Sequence, residues 1–192
     1  MSTRKGIYWV KTDKWYVERL VWLIAGTDVL VSSILTVLHS PYWIFSILFV
    51  GVCSMLVALT GFCLVGNLVY RLGAEARLLR QGVPSETEAS LYLMQTDKWF
   101  LERFIYLFVG VNLSLSSLLA TFHSLYWLCF TGFVGSATVV FAFTGYCFMA
   151  NLLYKLGAEP RLGRSLEMAA VPAAVATTPP RRVRNVAKFR QT

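Results

Sequence analysis

The sequence predicts an all-α membrane protein: four transmembrane helices arranged as two parallel-repeated helical hairpins, with the N- and C-termini cytoplasmic. Three observations carry this. The first is composition. The 192 residues are 56% hydrophobic and only 15% charged, and mean hydropathy is +0.57. A soluble domain carries about 25% charged residues and cannot hide this much apolar surface at this size. The same hydrophobicity excludes a chain disordered throughout.

The second observation is internal repetition. Shifted by 84 residues, the chain matches itself without a gap. Thr12-Asp13-Lys14-Trp15 returns as Thr96-Asp97-Lys98-Trp99, and Glu18-Arg19 as Glu102-Arg103. His39-Ser40 and Tyr42-Trp43 return as His123-Ser124 and Tyr126-Trp127. Thr60-Gly61 and Cys63 return as Thr144-Gly145 and Cys147. Leu72-Gly73-Ala74-Glu75 returns as Leu156-Gly157-Ala158-Glu159. The third observation is one-sided charge. All 18 Lys and Arg residues lie in the N-terminal arm, the central linker, the C-terminal tail or adjoining helix ends. The two hairpin tips carry none, which places both termini and the linker on the cytoplasmic side. Two helices per repeat make the repeats run in the same sense, unlike the inverted repeats of many transporters.

Taken in order, residues 1–11 read as a cytoplasmic arm, 12–73 as the first hairpin repeat and 74–95 as an amphipathic cytoplasmic linker. Residues 96–157 read as the second hairpin repeat and 158–192 as a basic Ala/Pro-rich cytoplasmic tail. The first apolar run starts near Tyr16 and continues to Leu38, too long for a signal-peptide core, and is expected to stay as a membrane anchor. The second runs from Trp43 to Tyr70. Their counterparts are Phe100 to Phe122 and Trp127 to Tyr154. A span needs about 20 apolar residues, and open strands cannot cross lipid. The Trp43–Tyr70 run, read as one helix, would reach roughly 42 Å and must tilt or protrude. Trp15 and Trp99 are expected at the cytoplasmic interface, Trp43 and Trp127 at the opposite one.

Gly73 suits a helix C-cap, and Ala74 to Arg80 reads as a short interfacial helix. Ser85-Glu86-Thr87-Glu88 matches a capping box. In the tail, Arg181, Arg182, Arg184, Lys188 and Arg190 are expected to dock on anionic lipid or a partner protein. These basic clusters flank membrane spans, so nucleic acid is not an expected partner.

Several side chains stand out chemically. Asp28 is the one charge deep in a span, and its counterpart is Asn112. An intramembrane carboxyl is a functional candidate by default; the structural alternative is a protonated Asp bonded to Ser54 or another helix. Folding each hairpin level by level sets Cys63 beside Glu18 and Arg19, and Cys147 beside Glu102 and Arg103. A cation beside a thiol makes it nucleophilic, so Cys63, Cys147, Arg19 and Arg103 form candidate thiol sites. In the structural alternative the cysteines pack beside Gly61 and Gly145, and the Glu-Arg pairs snorkel to headgroups. Cys53 and Cys129 have no repeat counterparts and read as packing residues. No spacing resembles a zinc site or a disulfide framework. His39 and His123 at the tips are positioned for metal ligation or, more simply, for the water interface. Small residues four apart, Ser54 with Ala58, Thr138 with Ala142 and Gly132 with Ser136, predict close helix packing.

Each repeat resembles the YgaP-like transmembrane domain family, small helical hairpins of the bacterial inner membrane. The resemblance rests on Glu18-Arg19 and Glu102-Arg103, on Gly26 and Gly110, and on the closing patterns Thr60-Gly61-Phe62-Cys63 to Leu72-Gly73 and Thr144-Gly145-Tyr146-Cys147 to Leu156-Gly157. Members often carry Pro after this Cys; here Leu64 and Phe148 follow. The resemblance implies a multi-pass protein of the bacterial inner membrane and covers both hairpins but not the tail.

With no catalytic motif and no implied cofactor, the leading expectation is a non-enzymatic accessory or scaffold subunit. It would pack against a larger respiratory or photosynthetic membrane complex, or against further copies of itself, on a bilayer with anionic lipid at the cytoplasmic face. A thiol or sulfur carrier using Cys63 and Cys147 is the first alternative. A small channel or transporter using Asp28 is the second.

Overall fold

Each half of the chain builds the same three helices. The computed structural model describes residues 6–79 and 91–162. Helix α1 (Val17–Leu38) leads through a 3-10 turn (Pro41–Trp43) into α2 (Ile44–Thr60), and a short α3 (Leu64–Arg71) follows. The second half repeats this with α4 (Leu101–Phe122), α5 (Trp127–Thr144) and α6 (Phe148–Lys155). Four segments are long and apolar enough to cross a membrane, Val17–Leu38, Pro41–Thr60, Leu101–Phe122 and Trp127–Thr144, as a multi-pass membrane protein requires. Large apolar side chains such as Ile34, Phe45, Phe49, Leu115 and Phe133 stand on their outer faces, where water would penalise them and acyl chains would not.

The apolar run Trp43–Tyr70 is not one helix. Gly61 takes φ +77° and closes α2, its N–H donating to the Val57 carbonyl. A Cβ there would collide with the Met94 carbonyl, so the left-handed turn and the close approach both require glycine. Cys63 is extended and starts α3. Gly145 and Cys147 do the same between α5 and α6. The long protruding helix is thereby replaced by a span of ordinary length and a separate amphipathic helix.

Gly73 closes α3 as expected, at φ +94°, and Gly157 closes α6 likewise at φ +102°. Gly73 N–H donates to the Tyr70 carbonyl and Ala74 N–H to that of Val69, with Gly157 and Ala158 bonding alike to Tyr154 and Leu153; this is the Schellman pattern. The chain after Gly73 is not helical through Leu79. It runs extended because its N–H groups have better partners: Arg77 and Leu78 donate to Glu18, and Leu79 pairs with Met94. The capping box at 85–88 lies outside the described residues.

The principal helix pairs are not the hairpins. α1 lies along α5 and α2 along α4, while α1 and α2 touch less extensively. Glycines permit this. A Cβ on Gly26 would come within 3.1 Å of the Gly135 carbonyl, and one on Gly110 within 2.7 Å of that of Gly51. Close backbone approach through small residues is what holds helices together in lipid, where hydrophobic driving force is absent. Of the small-residue sites read from sequence, Gly132 has open space around it, whereas Ala58 and Ala142 are fully buried.

The larger apolar cluster gathers around the start of α1 and α4, with Tyr8, Tyr16, Trp22, Tyr92, Phe100 and Phe141 among its members. A smaller one, including Val29, Ile47, Leu113 and Leu128, lies towards the hairpin tips.

Candidate functional site

The richest polar constellation is assembled where α1 and α4 begin. Glu18 and Arg19 occupy the first turn of α1, and both are buried, Glu18 completely. They do not snorkel, and they do not pair with one another. A buried carboxylate needs donors, and Glu18 Oε1 receives three: Leu78 N–H at 2.6 Å, Arg77 N–H at 3.1 Å and the Tyr92 hydroxyl at 3.0 Å. Residues 84 further on behave identically. Glu102 Oε1 accepts from Leu162 N–H at 2.7 Å, Arg161 N–H at 3.0 Å and Tyr8 OH at 2.9 Å. Each carboxylate therefore holds its own half's closing loop and the other half's leading strand.

The arginines work on helix ends. The last carbonyls of an α-helix lack partners and carry partial negative charge. Arg19 meets this need at α5: Nε and Nη2 donate to the Ala142 carbonyl at 3.0 and 2.8 Å, Nη2 also to Phe143 at 3.5 Å. Its Nη1 donates to the Lys14 and Thr12 carbonyls at 2.7 and 3.2 Å. Arg103 serves α2 through the Ala58 carbonyl at 2.9 and 2.7 Å, and through Lys98 and Thr96. Each guanidinium also lies 4.2 Å from an indole, Trp15 or Trp99.

Asn67 and Asn151 complete the bracket. The Asn67 amide accepts from Tyr92 N–H at 2.7 Å and donates to the Tyr92 carbonyl at 2.9 Å; Asn151 does this for Tyr8 at 2.7 and 3.1 Å. Burial, then the adjacent glutamate, push the Tyr8 and Tyr92 hydroxyls above their ordinary pKa. At the solvent edge, the hydrogen bond from Arg77 holds the Asp13 carboxyl below its usual value, and that from Arg161 does so for Asp97.

The cysteines sit differently from the expectation. Arg19 bonds across to α5 rather than lying against Cys63, because α1 packs on the second half. The Cys63 sulfur accepts from Gly66 N–H at 3.2 Å as a helix cap. Burial pushes its thiol up, and burial does the same to Cys147, the opposite of what a ready nucleophile needs. Asp28 bonds Ser46, not Ser54: Ser46 Oγ donates to Asp28 Oδ2 at 2.9 Å. The partner is still on α2, but Ser46 lies two turns nearer the hairpin tip than Ser54, whose own hydroxyl donates to the Val50 carbonyl. Asn112 turns back on its own helix, donating to the Phe108 carbonyl at 2.7 Å. At the tips, the Trp43 and Trp127 indoles donate to Nδ1 of His39 and His123 at 3.1 and 3.3 Å. Arg181, Arg182, Arg184, Lys188 and Arg190 lie outside the described residues.

Among the described residues, no three His, Cys, Asp or Glu side chains converge as metal ligands. A small gap between the four spans is lined by Ala25, Gly26, Val50, Val109, Leu113 and Thr138 among others and is mostly apolar, while Ser32, Ser33, Thr36, Ser116, Ser117 and Thr131 are also buried in the spans. Tyr8, Tyr92, Asn67, Asn151, Arg77 and Arg161 were not singled out from sequence. Their signal was present, since each keeps its identity across the 84-residue shift. The arrangement is a mutual clasp: Glu18, Arg19, Asn67, Glu102, Arg103 and Asn151 spend their polar groups in joining the halves. No protein-family model, curated protein or solved structure matches this chain.

Proposed function

We propose that the chain is a non-catalytic scaffold or accessory subunit of a bacterial inner-membrane complex, built as a tandem duplication of a YgaP-like hairpin. One observation carries the reading: the buried ionisable groups are committed within the clasp, Arg19 and Arg103 to carbonyls of the other half, and Glu18 and Glu102 to backbone N–H groups of their own half and a tyrosine hydroxyl of the other. Polar side chains spent in this way rigidify a bundle and specify its pairing. They are not poised for chemistry.

Orientation follows from charge. Lys14, Arg71, Arg77, Lys98, Lys155 and Arg161 lie at the clasp end, while the tips at residues 39–43 and 123–127 carry no Lys or Arg. The clasp end is then cytoplasmic, next to anionic headgroups, which the basic sequence from Arg181 to Arg190 would also favour. The Cys63 thiol, buried and capping α3, weighs against the sulfur-carrier reading, and the mostly apolar lining of the gap between the spans weighs against the channel reading.

Native membranes solubilised in mild detergent and separated by size test the proposal. Co-migration of the chain with a defined larger assembly through successive separations is the expected result. A chain that runs alone at every detergent concentration refutes it.

A further inference from the structure

The two halves differ most tellingly at one place in mid-span. Thr27 and Asp28 stand midway along α1, about 16 Å from either helix end at 1.5 Å per residue. Thr27 is exposed and Asp28 half-buried. Ser46 on α2 joins them through its bond to Asp28 Oδ2. Among the described residues no donor reaches Asp28 Oδ1. The corresponding positions of the second half are Val111, Asn112 and Phe130. There the one polar group, the Asn112 amide, donates to its own helix at the Phe108 carbonyl. The second half therefore provides an internal control: same helices, same clasp, but an outer face dressed for lipid. In the first half three polar side chains cluster at one depth on that face, bordered by exposed Ile24 and Val31.

A carboxyl left against acyl chains is costly, and intramembrane ionisable groups almost always meet a partner. We infer that the Thr27–Asp28–Ser46 patch is the seat of a partner transmembrane helix that brings a cationic side chain to mid-membrane. Charge complementarity selects this occupant. The patch offers a carboxylate with a free oxygen and one hydroxyl already donating inward, so it lacks a donor and a positive charge rather than an acceptor. A second copy of this chain offers hydroxyl and amide donors but not the positive charge, because its spans carry no Lys or Arg at this depth. The inference rests on the scaffold reading and names the face by which the scaffold engages its complex.

Photo-crosslinking in native membranes tests it, using the full chain with a photoreactive residue at Val31 or, as control, at the equivalent Leu115. Both are about half exposed, at 46% and 54%. The expected product at Val31 is a single integral membrane protein, crosslinked within one helical turn of a Lys, Arg or His in the middle of a span. Asp28→Asn should lower its yield at least about tenfold, equivalent to about 1.4 kcal/mol, and Asp28→Glu should preserve it. Asn112→Leu, which removes the matching polar group on the other half, should leave the yield unchanged. Crosslinks to a second copy of the chain, to lipid only, or to a helix with no cation overturn the inference. So does an unchanged yield in the Asp28→Asn protein. A heterologous partner captured at Leu115 but not at Val31 overturns this face alone and leaves the scaffold reading standing; capture at neither, with a chain that migrates alone, removes both.

Discussion

Replacing Arg19 with methionine tests the clasp at its most heavily bonded member. Arg19 is only 4% exposed, so water cannot readily replace what it donates. Its N–H groups make five contacts to carbonyls, between 2.7 and 3.5 Å, two of them on Ala142. A buried acceptor left unpaired costs about 1–3 kcal/mol. Methionine orphans the Ala142 and Lys14 carbonyls together, and the lost stacking on Trp15 adds about 0.5–2 kcal/mol. Contacts sharing one carbonyl are not additive, so the expected loss is about 3–5 kcal/mol overall. At about 2–4 °C per kcal/mol for a chain of this size, the melting temperature should fall by about 6–20 °C. Thermal unfolding in detergent, followed by tryptophan fluorescence, measures this. Arg19→Lys should lie between the two, since an ammonium keeps the charge but cannot span two carbonyls as a fork. Lys14→Ala removes only an exposed ion pair with Glu75 and should leave the transition in place. An Arg19→Met protein that melts within about 2 °C of the wild type would refute the assignment, given the slope used.

Three further outcomes follow from the same geometry. Gly110→Ala should cost about 1–3 kcal/mol through overpacking, because the new methyl meets the Gly51 carbonyl and Met55 N at 2.7 and 2.8 Å. Gly132→Ala, with open space around it, should be neutral or stabilising; equal effects at the two sites in thermal unfolding would contradict the close α2–α4 crossing. Raised pKa values at Tyr8 and Tyr92 mean that the folded state holds these protons more firmly than the unfolded chain. Their contribution is therefore complete below about pH 10 and is lost as pH rises beyond it. A chain carrying Tyr8→Phe and Tyr92→Phe should show a shallower alkaline decline in stability, and an unchanged slope would place the titrating groups elsewhere. Cys63, buried and capping α3, should react with a maleimide in the folded chain at least about tenfold more slowly than in the denatured chain at the same neutral pH. Faster labelling of Cys63 would revive the thiol-carrier alternative.

The spans and the C-cap at Gly73 are legible because each is a local pattern, and the repeat draws attention to Glu18-Arg19 and Glu102-Arg103 without giving their partners. Apolar runs of about 20 residues declare themselves, and a glycine before a break in periodicity does too. The interruption at Gly61 was not legible in the same way. Residues 43–70 stay apolar across it, and only the approach of Met94 from the other half explains why a left-handed turn sits there. Partner choice was also hidden. Hydrophobic periodicity says which face is apolar, not which helix it meets, so the sequence suggests Arg19 beside Cys63 where the structure sets it on the end of α5. Its true acceptor, the Ala142 carbonyl, is a backbone group with no sequence signature. Asp28 is recognisable as anomalous from sequence; its bond to Ser46 rather than Ser54 reflects the register of α2 against α1, which periodicity does not fix.

The interlocked arrangement of the halves has a direct chemical readout. A Cβ built on Gly135 falls 3.0 Å from Val29 Cγ1, close to the spacing between a cysteine sulfur and its partner's Cβ across a disulfide. Val29→Cys with Gly135→Cys, in a chain whose four native cysteines are replaced by serine or alanine, should form an intramolecular disulfide on mild oxidation in the membrane. The oxidised chain should migrate faster than the reduced form without doubling in mass. Failure to crosslink, or crosslinking only between separate chains, would contradict the packing of α1 on α5 and with it the mutual clasp.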